Sequence, residues 1–209
     1  MSTGAVDGSE EDGAVGGVEG VGVDGEGADE EHVAATLEQL TTRIRETGPI
    51  KQRQLQDLYV SCASPEMLKK AADLTRLNYL ARGELHQHGP FSNKTCLTLL
   101  QQAMRLEALD IAKQVILNGA EYGFGAPSTR HYNMLLIYYS KKGLLKDMVD
   151  MYEKMKVGGP VPDSETCFIL VKGFVDASRG DVARVIVGEF EKAGVRVRDG
   201  ARRYIDQNE

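Results

Sequence analysis

No run of about 18 apolar residues occurs anywhere in these 209 residues, so neither a membrane span nor a membrane partner is expected. Strand signals are nearly missing too, since Val195-Arg196-Val197 is too short to count. Cysteine is scarce. Cys62, Cys96 and Cys167 are odd in number and far apart, which speaks against a disulfide framework or a zinc site and for small core residues in a reducing compartment. A phosphate-cradling GxxxxGK(S/T) loop, an HExxH helix and a nucleophile elbow are all lacking. The glycines of Asn118 to Gly125 follow a helical pattern instead of a strand, so they make no dinucleotide site. His86 and His88 stand two apart, which does not share a helix face, and no further ligand is near. His131 has no acid or nucleophile evidently paired to it. The chain therefore reads as a non-enzyme, with no cofactor, no metal and no small-molecule substrate.

Residues 1–32 lack Lys and Arg altogether while holding ten acidic residues and nine of the chain's 23 glycines. Such a segment cannot bury enough apolar surface to offset its ordering entropy, so a disordered acidic tail is expected. It is also the reverse of a transit peptide, which is Arg-rich and poor in acid. Ser9-Glu10-Glu11-Asp12 suits an acid-directed kinase, with a solubilising tail as the plainer reading. The tail masks the charge of the rest: the whole chain carries −6, but residues 33–209 hold 25 basic against 21 acidic side chains, a surplus of four. That permits contact with a polyanion. The densest cations are Lys141-Lys142 and the group Arg196, Arg198, Arg202 and Arg203, which solvated helix ends explain almost as well.

What the chain does have is a period. In the stretch from Thr129 to Asp163, Tyr132, Leu135, Leu136 and Tyr139 recur at i, i+3, i+4, i+7, and Met148, Met151, Tyr152 and Met155 repeat that spacing after Lys141-Lys142-Gly143. Two amphipathic helices joined by a tight turn result, ended by Gly158-Gly159 with Pro160 and Pro162. The pattern returns from Ser164 in Cys167, Leu170, Val171, Phe174, Ala183, Ile186, Val187 and Phe190, closing at Arg198. Backwards, a start at Asn93 gives Cys96, Leu99, Leu100 and Ala103, then Ala112, Val115, Ile116 and Gly119. A start at Gln52 gives Leu55, Leu58, Tyr59, Cys62, Ala71 and Leu74, after which the match decays through Thr75 and Asn78. Periods of 35, 35, 36 and 41 residues predict an all-α solenoid of stacked antiparallel helix pairs. Its parts are a capping helix over 33–47 with a degenerate pair filling 33–92, three repeats at 93–128, 129–163 and 164–198, and a tail or short capping helix over 199–209. Ser64-Pro65-Glu66 is a good helix start within the degenerate pair.

Tyr132-Asn133-x-Leu135-Leu136, Lys141-x-Gly143, Met155-Lys156, Gly159 and Pro162-Asp163 resemble a pentatricopeptide repeat (PPR). The 35-residue period closed by Pro-Asp separates it from the 34-residue tetratricopeptide repeat. The resemblance implies a right-handed solenoid whose first helices line the concave face. It also implies that the fifth and last residues of a repeat read one RNA base, stacked between side chains of adjacent repeats. Those residues are Asn133 and Asp163 in the best repeat, a pairing that resembles uracil recognition. Arg130 holds the stacking offset, and Lys141, Lys142 and Arg198 would meet phosphate. The other repeats depart from the pattern, with Leu97 and Phe168 in fifth place, Ser128 and Arg198 in last place, and Glu165 at the next stacking offset.

One readable base in three predicts weak binding on its own, because stacking contributes roughly 1–3 kcal/mol per base against an association cost of roughly 4–15 kcal/mol. The resemblance therefore implies first a structural, RNA-contacting component of an organellar ribonucleoprotein, with the mitochondrial ribosome foremost, among RNA and other proteins of the complex. A free-standing organellar RNA-binding factor for transcript processing, stability or translation is the alternative, and a protein-binding scaffold the second. Localisation in a mitochondrion, or else a chloroplast, is implied in the same way.

Overall fold

The computed structural model describes residues 26–86 and 89–208, which form ten α-helices. They are α1 (Glu26–Thr47), α2 (Gln52–Ser61), α3 (Pro65–Glu84), α4 (Asn93–Arg105), α5 (Leu109–Leu117), α6 (Thr129–Lys142), α7 (Leu145–Gly158), α8 (Ser164–Asp176), α9 (Gly180–Lys192) and α10 (Asp199–Gln207). A 3₁₀ turn, Gly119–Tyr122, follows α5. No strand occurs among the described residues beyond one isolated bridge between Phe91 and Phe124. The first 25 residues of the expected tail lie outside the described part, as does His88. α1 begins at Glu26, ahead of position 33, because extending an anchored helix adds one backbone hydrogen bond per residue fixed. Val33, Leu37, Leu40 and Ile44 supply the anchor, all buried on one stripe.

The starts of α2, α4, α6 and α8 fall at Gln52, Asn93, Thr129 and Ser164, the residues that open the periodic units, and α10 starts at Asp199, just past the close of the last unit. Local chemistry fixes them. Ser64, Ser92 and Asp163 each accept a backbone N–H of the turn that follows, and Pro65 supplies a preset φ at the first position of α3. Gly143 ends α6 in the left-handed region at φ 67°, which lets the chain reverse into α7.

The apolar offsets of the pairs α6–α7 and α8–α9 are all buried, from Tyr132 and Leu135 through Met155 to Phe190, in one continuous core. Thr75 and Asn78, where the pattern decays, are also fully buried. Thr75 meets the Tyr59 hydroxyl, and Asn78 holds the backbone of Ile50 from both sides, accepting its N–H at 2.7 Å and donating to its carbonyl at 3.3 Å. Buried polar groups that find partners cost little, so an amide replaces a methyl there.

The first helices form one row, in which α2 packs on α4, α4 on α6, α6 on α8 and α8 on α10. Approach is close where side chains are small: a Cβ on Gly173 of α8 would stand 2.9 Å from the Met148 sulfur and 3.0 Å from Ser140 Oγ. The second helices α5, α7 and α9 are not packed backbone to backbone in this way; long side chains bridge them. Lys113 reaches Asp147 at 2.6 Å, Lys156 reaches Glu189 at 2.9 Å, and the Tyr152 and Phe190 rings stack at 5.9 Å. The first-helix row is thus closely packed and the second-helix row splayed.

Leu170 is fully buried at the offset shared with Leu135 and Leu99. Leu170→Ala is expected to cost about 2–5 kcal/mol in denaturant unfolding; a cost under about 1 kcal/mol would place that side chain outside the core.

Candidate nucleic-acid interface

An α-helix leaves its first backbone N–H groups without intrahelical partners, so each first helix must satisfy them from outside. At α4 the supply comes from the preceding unit. Gln52 accepts the Ser92 N–H at 2.8 Å and the Thr95 hydroxyl at 3.0 Å, while Gln56 donates to Thr95 Oγ1 at 2.8 Å. At α8 the same two places are used: Thr166, third in its unit, donates its hydroxyl at 2.8 Å to Oδ1 of Asn133, fifth in the unit before. Thr166 and Glu165 also donate their backbone N–H groups to Asp163 Oδ1 at 2.9 and 3.0 Å.

Asn133 and Asp163 are thus brought together around Thr166, but the amide is only 4% exposed and its oxygen is taken by a hydroxyl. Asp163 remains exposed at the rim. Burial acts to raise its carboxyl, yet hydrogen bonds from Thr166, Asn133 and Glu165 outweigh that and hold it below the usual carboxylate range. At the other two junctions no such clamp exists. Leu97, half-buried, stands in fifth place before α6, and Phe168 meets the Tyr204 ring of α10 edge-on at 6.2 Å.

Of the cations read from the sequence, Arg130 and Lys141 are exposed and without a partner among the described residues. Lys142 is engaged: it donates to Glu107 at 2.6 Å, lies 5.8 Å from the centre of the Tyr138 ring, and is held above its ordinary pKa by that carboxylate. Arg198 is exposed beside the start of α10 and, with Ser164, Arg196, Val197 and Asp199, lines an open cavity of about 370 Å³. Arg202 is tied to Glu191.

The sequence reading missed two cations. Arg53 and Lys94 hold the second place of their units, as Arg130 does, so three successive first helices present a cation at the same offset. Lys94 has no partner among the described residues, and Arg53 meets Asp57 only at 3.9 Å. Helices packed side by side lie about 8–10 Å apart, so these form a ridge along the edge where the first helices begin. Glu165 and Asp163 interrupt it, and Arg196 and Arg198 lie beyond them. The offset of Arg130 was the signal that would have found Arg53 and Lys94.

His131 occupies the third place of α6, where a capping box usually carries Glu or Gln. The Ser128 N–H donates to its Nδ1 at 2.9 Å, which leaves the proton on Nε2. That nitrogen is buried and has no partner among the described residues.

Since the Asp163 carboxyl lies below the ordinary value near 3.9, its cap is expected to be intact above that value and lost as pH falls through the lower folded one. Asp163→Ala should cost about 0.5–2 kcal/mol at neutral pH. In thermal unfolding the gap between the two proteins should close at strongly acidic pH; a constant gap would rule out the charged cap.

Residues 127–176, which span α6, α7 and α8, match the PPR repeat family. No curated protein matches the chain.

Proposed function

We propose that this chain is a non-enzymatic PPR-type helical-repeat protein that meets RNA mainly through phosphates on its first-helix face. In this reading it is a structural component of an organellar ribonucleoprotein, the mitochondrial ribosome before others, built as a right-handed solenoid of about three repeats on a degenerate first pair. The matched repeat supports RNA contact in general. One observation carries the finer claim: in the four units that open at Gln52, Asn93, Thr129 and Ser164, each polar side chain in fifth place is already held in a clamp. Gln56 and Asn133 are spent on the clamps to Thr95 and Thr166, and Leu97 and Phe168 have no polar atom to offer.

The cation ridge supports the other half. Arg53, Lys94 and Arg130 suit a polyanion that runs across the units, and phosphate contacts position a strand without reading it. Roughly three such contacts and little base reading leave the association cost of about 4–15 kcal/mol largely unmet, so other molecules of an assembly must share the binding.

Sedimentation of tagged protein from organelle extract is expected to show co-migration with a ribosomal particle; a slow free pool would favour the free-standing factor instead. For the purified protein, log affinity for short single-stranded RNA should fall with log salt at a slope of about −2, near 0.7 per phosphate. Arg130→Ala should flatten that slope by about 0.7 for uridine and adenosine RNAs alike. Asn133→Ala should leave their ratio unchanged. If uridine RNA binds more than about tenfold better and Asn133→Ala abolishes the difference, the amide leaves its clamp to read a base and the phosphate reading fails.

A further inference from the structure

Among the junctions in the first-helix row, the one between α4 and α6 has no amide clamp; Leu97 and His131 stand where Gln56 and Thr95, or Asn133 and Thr166, are joined elsewhere. His131 is 3% exposed, and it borders a small cavity with Phe91, Cys96, Val115, Phe124 and Pro127. Its two nitrogens do opposite things. Nδ1 accepts the Ser128 N–H and lies 3.0 Å from the Ser128 hydroxyl, closing the first turn of α6. Nε2 is buried, and among the described residues its hydrogen has no acceptor.

We propose that His131 is a proton-sensitive latch on the first turn of α6: neutral imidazole closes the turn, and proton uptake opens it. The chemistry follows from the donor count. A second proton must sit on Nδ1, where it faces the Ser128 N–H, and two donors cannot share that bond. The lost bond leaves the Ser128 N–H orphaned and puts a full charge beside Phe91, Val115 and Phe124, which burial penalises.

Among the described residues, no carboxylate lines the cavity to offset that charge. From α4 the cavity is lined by Asn93 and Cys96, from α5 by Val115 and Ile116, and from the loop before α6 by Phe124, Gly125 and Pro127. Cys96 is the one titratable group among them, and burial pushes its thiol up to about 12, so it stays neutral near pH 7. Burial, and then Arg130 on α6 itself, hold the imidazole below its ordinary value of 6.5. The folded latch therefore binds fewer protons than the open one between that value and the lower folded one. Closure is complete above about 6.5 and weakens as pH falls below it.

The released turn carries Arg130, and Asn133 lies one turn behind it. Acid would therefore loosen the RNA face as well; that consequence rests on the reading given above, while the latch itself does not. Glutamine can replace the imidazole: His131→Gln gives the usual capping box, a serine followed three places on by an amide, and that pair does not titrate.

Hydrogen exchange on the full chain tests the latch without RNA. Between pH 7.5 and 5.5 the protection factor of the Ser128 amide is expected to fall in the wild type, by up to about tenfold per pH unit below 6.5. In His131→Gln it should stay level. Equal falls in both proteins, or a level wild type, would overturn the proposal. If His131→Gln does not fold, nuclear magnetic resonance titration of the wild-type imidazole decides: a depressed pKa with a Ser128 amide shift that tracks it supports the latch, and an ordinary pKa with an unmoved amide sinks it.

Discussion

The unpaired N–H groups at the start of each first helix are the constraint on which the rest of this structure depends. Stacking of helix pairs brings every such start against the unit before it, so the orphan donors must be satisfied in a crowded seam. Each seam has its own solution. Gln52 and Ser92 serve α4, a histidine serves α6, and an aspartate with an asparagine-bound threonine serves α8. Arg198 precedes α10 and offers no acceptor. Because these partners include Asn133 in fifth place and Asp163 in last place, the fold consumes groups that a surface would need for reading bases.

Charge is consumed in a similar way. Lys113, Lys142, Lys156 and Lys172 are paired with Asp147, Glu107, Glu189 and Asp176, so these four cations are neutralised between or within helices. Arg53, Lys94 and Arg130 escape because they sit at the helix starts, where the neighbouring unit presents few carboxylates until Asp163 and Glu165. Where cations are free thus follows from which end of the helix they occupy, more than from their number.

The helix pairs and their starts were legible in the sequence because both rest on short-range signals. Apolar spacing at i, i+3, i+4, i+7 marks the stripe, and Ser64-Pro65 marks a cap. Thr75 and Asn78 broke the pattern only because their partners, Tyr59 and Ile50, lie 16 and 28 residues away. Asn133 was legible as a special position but not as a buried one. A polar side chain on a helix reads as solvent-facing until Thr166, 33 residues on, is known to lie against it. Lys142 was misleading for the same reason, its carboxylate lying 35 residues back. Separations near one period are a signal that residue-by-residue patterning does not use.

The unequal spacing of the two helix rows has a mechanical consequence. Along the first helices the contacts are apolar and close, as around Gly173, and any stretch would open voids. Along α5, α7 and α9 the links are partly exposed ion pairs such as Lys113–Asp147 and Lys156–Glu189, each worth about 0–1 kcal/mol. The molecule is therefore a beam with one stiff flange and one compliant flange. Salt softens the second of these by screening the ion pairs. A load on α7 and α9 therefore acts first on these ion pairs, before it reaches the packed first-helix row.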